Sequence, residues 1–91
     1  PEDACPALAQ AYARARQEAQ ALHAFERCRD YDPSSAEAWF FLGQAYRRAG
    51  RHQDALTTFR EAVRVDPRHA DSRVGLAAAL LAAGDAPAAL E

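Results

Sequence analysis

Apolar residues in the middle of the chain recur with the period of an α-helix. The spacing i, i+3, i+4, i+7 puts four of them on one helix face: Trp39, Leu42, Gly43 and Tyr46. After Gly50, which fits a left-handed helix cap, a second stripe comprises Ala55, Phe59, Ala62 and Val63. Asp66-Pro67 ends this stripe, because the residue before a proline disfavours the helical region. The pattern predicts a pair of helices joined by a short turn.

This pair is one unit of an internal repeat. A shift of 34 residues aligns the chain with itself without a gap. The residues that coincide are Leu8, Leu42 and Leu76; Tyr12, Tyr46 and Leu80; Phe25 and Phe59; and Pro33 and Pro67. Alanine, the strongest helix former, supplies 24 of the 91 residues. We therefore expect helix pairs over residues 2–35, 36–69 and 70–91, with the third pair truncated a few residues into its second helix.

The middle repeat carries a known signature. The pattern W-x2-L-G-x2-Y, then A-x3-F, then P is present as Trp39, Leu42, Gly43, Tyr46, Ala55, Phe59 and Pro67. The chain resembles the tetratricopeptide repeat family over its whole length. The flanking repeats depart from the pattern: Cys5 and Arg73 stand in the Trp slot, and Arg16 replaces the turn glycine. The resemblance implies an all-α fold, an α-solenoid of about two and a half antiparallel helix pairs in a right-handed superhelix. We expect residues 1–91 to form a single domain that is a fragment of a longer array.

The resemblance also implies a binding surface, because the first helix of each repeat lines the concave side in this family. The positions that match this lining form the predicted groove: Gln10, Arg14, Phe40, Gln44, Arg47, Arg48, Val74 and Leu81. On a helical wheel Phe40 lies away from the inward face, whereas the position of Phe41 is ambiguous. The alternative for both rings is packing against neighbouring helices. The alternative for the arginines is a solvated face that pairs with nearby acids.

The third repeat suggests what the groove does. Residues 74–83 are apolar almost all round, and such a helix is normally covered on both sides. A peptide, a partner helix, a further repeat or another copy of the chain could cover it. We predict a protein-interaction scaffold whose partner has apolar groups at the third repeat and a carboxylate near the arginines. Self-association and a role as the non-catalytic repeat region of a larger enzyme, such as a transferase, remain alternatives. The family's clamp for chaperone tails uses Lys and Asn, and this chain contains neither.

Composition argues against several other classes of protein. The net charge is −2, so we expect no nucleic-acid partner, which would require a basic face. The longest apolar run is about half of what a bilayer requires, so we expect no membrane insertion. The three histidines lack metal-ligand spacing, and there is no phosphate loop and no recognisable pair of nucleophile and base. We predict no enzyme activity, no metal and no cofactor.

The two cysteines bear on localisation. Cys5 and Cys28 fall on antiparallel helices, so a disulfide is conceivable in an exported protein. The alternative is two small apolar side chains in a cytoplasmic core. Cys28 matches Ala62 of the next repeat, which favours this alternative. The prediction is therefore a cytoplasmic protein, and an exported or periplasmic one if the two cysteines are bridged.

Overall fold

The computed structural model describes residues 5–82, with side chains from residue 7 onward. It contains five helices: α1 (Cys5–Arg14), α2 (Glu18–Tyr31), α3 (Ala36–Arg48), α4 (His52–Val65) and α5 (Ala70–Ala82). The range 5–82 contains no strand, so the all-α prediction is confirmed. The predicted second helix of the third repeat lies outside the described residues.

The turns inside the first two repeats have the same geometry. The N–H of Gln17 donates to the carbonyl of Tyr12 (2.9 Å), and the N–H of Arg51 donates to that of Tyr46 (2.9 Å). Inside each turn a second hydrogen bond spans fewer residues (3.1 Å in both turns). The two bonds together form a Schellman motif, which satisfies carbonyls at a helix end. The motif needs a left-handed residue, which is Gly50 (φ 79°) in the second repeat and Arg16 (φ 62°) in the first. The first turn therefore survives without its glycine.

The turns between repeats also match each other. The carboxylate of Asp32 accepts from the N–H of Ser34 (3.2 Å), and that of Asp66 accepts from the N–H of Arg68 (3.0 Å). A proline follows each aspartate and cannot continue a helix that would need its N–H. Ser35 then caps α3, since its Oγ accepts from the N–H of Ala38 (3.2 Å).

The helices form two layers. The first helices of successive repeats touch, α1 against α3 and α3 against α5, whereas α2 and α4 make no comparable contact with each other. In a curved stack the helices that approach more closely lie on the concave side. We call the layer of α1, α3 and α5 the inner layer and that of α2 and α4 the outer layer.

The core centres on Phe59, a residue of α4 that is fully buried. A Cβ atom added at Gly43 of α3 would lie 2.7 Å from its Cε1, and one added at Gly75 of α5 would lie 2.6 Å from it. Only glycine leaves room for the ring on both sides, so these two positions set how closely α3 and α5 approach α4. Leu42 is also fully buried, as its place in the signature predicts.

Two signature positions differ from expectation. Trp39 is only half-buried, and its indole N–H donates to the carbonyl of Pro33 in the preceding turn (2.7 Å). Leu8 matches the buried Leu42 but is 56% exposed. The reason is that α3 packs against the preceding helix α2 as well as against its own partner α4, whereas α1 has no preceding helix among the described residues.

Candidate functional site

The eight predicted groove residues all lie on the inner layer, and we call them the inner surface. Gln10 and Arg14 are on α1, Val74 and Leu81 on α5, and the rest on α3. The members that are exposed are Arg14, Arg47, Arg48, Val74 and Leu81, and the half-buried ones are Gln10, Phe40 and Gln44. The structure therefore brings the predicted residues onto one layer.

Phe40 is the central aromatic residue of the inner surface. Its ring centroid lies 5.5 Å from that of Phe41, 6.0 Å from that of Phe59 and 5.9 Å from that of His69. Phe40 thus packs on the core and keeps part of its surface exposed. Phe41 stacks on Phe25 of α2 with centroids 5.8 Å apart, so its ring packs between repeats.

His69, which sequence analysis considered only as a metal ligand, is a neighbour of the inner surface. It is half-buried immediately before α5. Its Nδ1 is hydrogen-bonded to the Oγ of Ser72 (2.5 Å), and its ring edge meets Phe40. The 34-residue repeat could have indicated this position, because His69 matches Ser35, the residue that caps α3.

Gln44 has an unmet hydrogen-bonding group. Its side-chain oxygen is buried and has no hydrogen-bond donor among the described residues. An unsatisfied buried acceptor costs about 1–3 kcal/mol, so a rotation that gives this amide a partner would be favourable. Gln10, the matching residue of α1, also has no side-chain hydrogen bond to another described residue.

The arginines of the inner surface have no acidic partner in the described part of the chain. The arginine ion pairs between residues 7 and 82 are Arg29–Asp30, Arg51–Asp54 and Arg64–Glu61. Within this range, Arg14, Arg47 and Arg48 therefore form no ion pair with an acid, contrary to the alternative considered from the sequence. Their guanidinium groups are exposed and offer hydrogen-bond donors to an anion.

The inner surface is apolar on α5. Val74 is 69% exposed and Leu81 is 56% exposed. They match Phe40 and Arg47 of α3, so the change from α3 to α5 replaces a packed ring and a charge with exposed aliphatic groups. Such side chains gain about 1.5–3 kcal/mol each when a partner buries them fully.

A polar cluster lies between α2 and α3, near the end of the inner surface. The hydroxyl of Tyr46 donates to the Oε2 of Glu26 (3.0 Å), and the guanidinium of Arg51 lies 4.7 Å from the centre of the Tyr46 ring. Burial, the hydrogen bond to Glu26 and the charge of Glu26 raise the pKa of Tyr46, against a smaller opposing effect of Arg51. The buried hydroxyl therefore stays protonated and joins the two repeats.

Three further observations bear on the predictions. Residues 7–82 hold no group of three metal-ligating side chains, and none of the helices described is long and apolar enough to cross a membrane.

Cys28 is buried and disulfide-bonded, so the favoured prediction of a free apolar thiol is wrong for this residue. The side chain of Cys5, the chain's other cysteine, lies outside the described side chains.

The sequence matches a known family. The family model described as "Tetratricopeptide repeat" matches residues 7–64, and a second model of the same description matches residues 46–91. The chain therefore belongs to the tetratricopeptide repeat family, as its signature predicted. No curated protein matches the chain.

Solved structures support the fold. The yeast Sti1 TPR2B domain in its pHsp70 complex superimposes with a TM-score of 0.92 at 17% identity, covering 98% of this chain and 71% of that one. The Yersinia enterocolitica type III secretion translocator chaperone SycD, in an alternative dimer, gives 0.88 at 18% identity, with 97% and 67% covered. MamA gives 0.86 at 21% identity, with 98% and 52% covered, so the chain spans about half of that protein. At these identities the likeness shows the fold alone.

Proposed function

We propose that this chain is a non-catalytic protein-binding module whose inner surface receives a segment of a partner protein. The observation that carries the proposal is the exposure of Val74 (69%) and Leu81 (56%) on the same layer as unpaired arginines. Large aliphatic side chains that are this exposed favour a site where another molecule covers them. Neighbours of the same fold include a domain in complex with pHsp70 and a secretion chaperone in a dimer, which supports a protein as the partner.

The chemistry of the inner surface suggests how the segment is held. Its apolar side chains meet α5, where Val74 and Leu81 lose their contact with water. A carboxylate of the segment lies near Arg14, Arg47 or Arg48 and accepts charge-assisted hydrogen bonds. Gln44 gains the hydrogen-bond partner that it lacks within residues 7–82.

Capture of partners with matched variants tests the proposal. We would immobilise the chain, capture proteins from an extract, and compare Val74→Glu and Leu81→Glu with the control Ala19→Glu, an exposed residue of the outer helix α2. We expect the first two variants to lose a partner that the control retains, because each buries a charge without a counter-ion. A partner that binds all four proteins equally would contradict an inner-surface site.

Light scattering across a range of concentration addresses self-association. If a second copy covers α5, the solution mass will rise with concentration, and Leu81→Glu will abolish the rise while Ala19→Glu will not. A constant monomer mass for the wild type means that the partner has another sequence.

A further inference from the structure

The first repeat contains a covalent crosslink. Cys28 of α2 is disulfide-bonded, and only 7% of its surface is exposed. A cysteine of a second molecule has little access to a side chain that is this buried. The sequence holds one other cysteine, Cys5, with which α1 begins, and α1 packs against α2. A partner for Cys28 within the chain must therefore be Cys5.

Packing alone holds α1 less firmly than it holds α3. The helix has 10 residues, and an isolated helix shorter than about 12–15 residues is marginal in water. Among its residues 7–14, Ala9 is the only buried side chain, and Tyr12 and Ala13 are half-buried. Leu8 is 56% exposed, whereas the matching Leu42 of α3 is fully buried. Because stabilisation scales with the apolar area that is buried, α1 gains less than α3 does.

The turn that joins α1 to α2 adds no compensating advantage. Arg16 occupies the left-handed region there, with a φ of 62°. This conformation is unfavourable for a residue that has a Cβ atom. The second repeat has Gly50 at the matching position (φ 79°), where glycine adopts the same region without that cost.

The outer helix α2, by contrast, is anchored on the second repeat without the help of α1. Phe25 stacks on Phe41 of α3, with ring centroids 5.8 Å apart. The carboxylate of Glu26 accepts a hydrogen bond from the hydroxyl of Tyr46 (3.0 Å). These contacts lie on the side of α2 that meets α3, so they persist if α1 leaves the stack.

The two cysteines stand where the second repeat uses noncovalent contacts. Cys5 matches Trp39, whose indole N–H donates to the carbonyl of Pro33 and so ties the start of α3 to the preceding turn (2.7 Å). Cys28 matches Ala62, which is fully buried. The second repeat therefore holds its first helix by packing and hydrogen bonding, and the first repeat has a crosslink at the matching positions.

From this contrast we infer that a disulfide between Cys5 and Cys28 holds α1 on the inner layer, and that its reduction releases α1 while α2–α5 stay folded. Formation of the bond removes two protons and two electrons from the two thiols. A disulfide oxidant, such as glutathione disulfide, accepts them and becomes two thiols, and the reverse exchange breaks the bond. Release of α1 takes Gln10 and Arg14 away from the inner surface. The inference goes beyond the proposed function and does not depend on it.

Peptide mapping tests the pairing. We would equilibrate the chain with glutathione disulfide, block the remaining thiols and digest it with trypsin without reduction. Trypsin cleaves after arginine, so the expected product is the peptide 1–14 joined to the dipeptide 28–29, and reduction should separate the two. Blocked thiols at both cysteines before reduction, or a covalent dimer of two chains, would overturn the pairing.

Amide hydrogen exchange of the oxidised and the reduced chain tests the release of α1. A crosslink that closes a loop of this length favours the closed state by about a hundred-fold. The amides of α1 should therefore exchange about a hundred-fold faster after reduction. The amides around Phe59, in the middle of α4, should exchange at the same rate in both states. Equal acceleration in all five helices, or no acceleration in α1, would overturn the inference.

Variants separate the bond from the packing of its residues. Cys28→Ala introduces the residue that the second repeat has at the matching position, and Cys5→Ser removes the other sulfur. With glutathione disulfide present, both variants should show the fast α1 exchange of the reduced wild type. The control Ala19→Ser, at an exposed position of α2, should keep the full redox response. Fast exchange in Cys28→Ala but not in Cys5→Ser would assign the loss to the buried position and overturn the crosslink.

The outcomes also separate this inference from the proposed function. Peptide mapping and hydrogen exchange require no partner, so a negative result removes the crosslink and leaves the protein-binding proposal standing. If the crosslink is found while Val74→Glu and Leu81→Glu retain every captured partner, the proposed function falls and the redox-dependent release of α1 stands.

Discussion

The two junctions between repeats occupy matching places in the chain but are held by different contacts. At the first, between α2 and α3, Phe25 stacks on Phe41 with centroids 5.8 Å apart, and Tyr46 donates a hydrogen bond to Glu26 (3.0 Å). The guanidinium of Arg29 also lies 5.4 Å from the centre of the Trp39 ring. Aromatic stacking and polar bridges therefore join the first two repeats.

The second junction, between α4 and α5, relies on close approach. Phe59 matches Phe25, but the position of Phe41 is taken by Gly75, so the helix backbone itself meets the ring. The residues that match Tyr46 and Glu26 are Leu80 and Arg60, which cannot form the same hydrogen bond. Within the described residues no side-chain hydrogen bond joins α4 to α5. No second ring is present at this junction, and α4 and α5 lie closer together instead, which leaves no empty space.

The inner surface also changes along the layer, from a packed ring on α3 to exposed aliphatic groups on α5. Within the second repeat, Phe59 of α4 contacts Phe40 of α3, with ring centroids 6.0 Å apart, and so packs beneath the aromatic ring of the inner surface. Gly75, which lets α5 approach Phe59, lies between the exposed aliphatic residues Val74 and Leu81. One repeat pattern thus accommodates two packing solutions at its junctions.

Phe59→Ala should have the largest effect. Truncation of a fully buried phenylalanine costs about 4 kcal/mol, and Phe59 contacts α3 and α5 at once. We expect a smaller loss for the matching change Phe25→Ala, because that ring stacks on a side chain that can shift to fill part of the cavity. Urea unfolding measures both free energies. Equal losses would show that the two junctions are energetically alike despite their contacts.

Gly75→Ala should have the next largest effect. The added Cβ would lie 2.6 Å from the Cε1 of Phe59, and overpacking of this kind costs about 3 kcal/mol. Alanine recovers about 1 kcal/mol of helix propensity, so we expect a net loss of about 2 kcal/mol. In a Phe59→Leu background the same change should be nearly neutral, since the ring edge is gone. An equal loss in both backgrounds would mean that the ring does not cause it.

Sequence reasoning predicted much of this arrangement because the repeat fixes positions on each helix. The turns at Gly50, Pro33 and Pro67 and the placement of Phe40 and Leu81 on one layer all follow from the 34-residue register. Burial was less predictable, because it depends on what neighbouring elements supply. The helix that carries Leu8 has no preceding helix among the described residues, and the contact of His69 with Phe40 joins a turn to a helix one repeat earlier.

Tyr46→Phe tests the polar bridge of the first junction and should have the smallest effect. A hydrogen bond to a partly exposed carboxylate contributes about 1 kcal/mol, so we expect a loss of that size in the free energy of unfolding. The matched control is Tyr12→Phe, the same position one repeat earlier, whose hydroxyl has no hydrogen-bond partner within residues 7–82. It should stay within about 0.5 kcal/mol of the wild type.

The same tyrosine predicts a dependence on pH. Burial, the hydrogen bond to Glu26 and the charge of Glu26 raise the pKa of Tyr46 in the folded chain. The folded state therefore keeps its proton after the unfolded state has lost it, and the contribution of this group to stability is complete below the ordinary pKa of about 10. Stability should fall as the pH rises from there through the raised pKa, and Tyr46→Phe should flatten this decline. If the wild type and Tyr46→Phe lose stability in parallel above pH 10, another group is responsible and Tyr46 does not couple the first junction to pH.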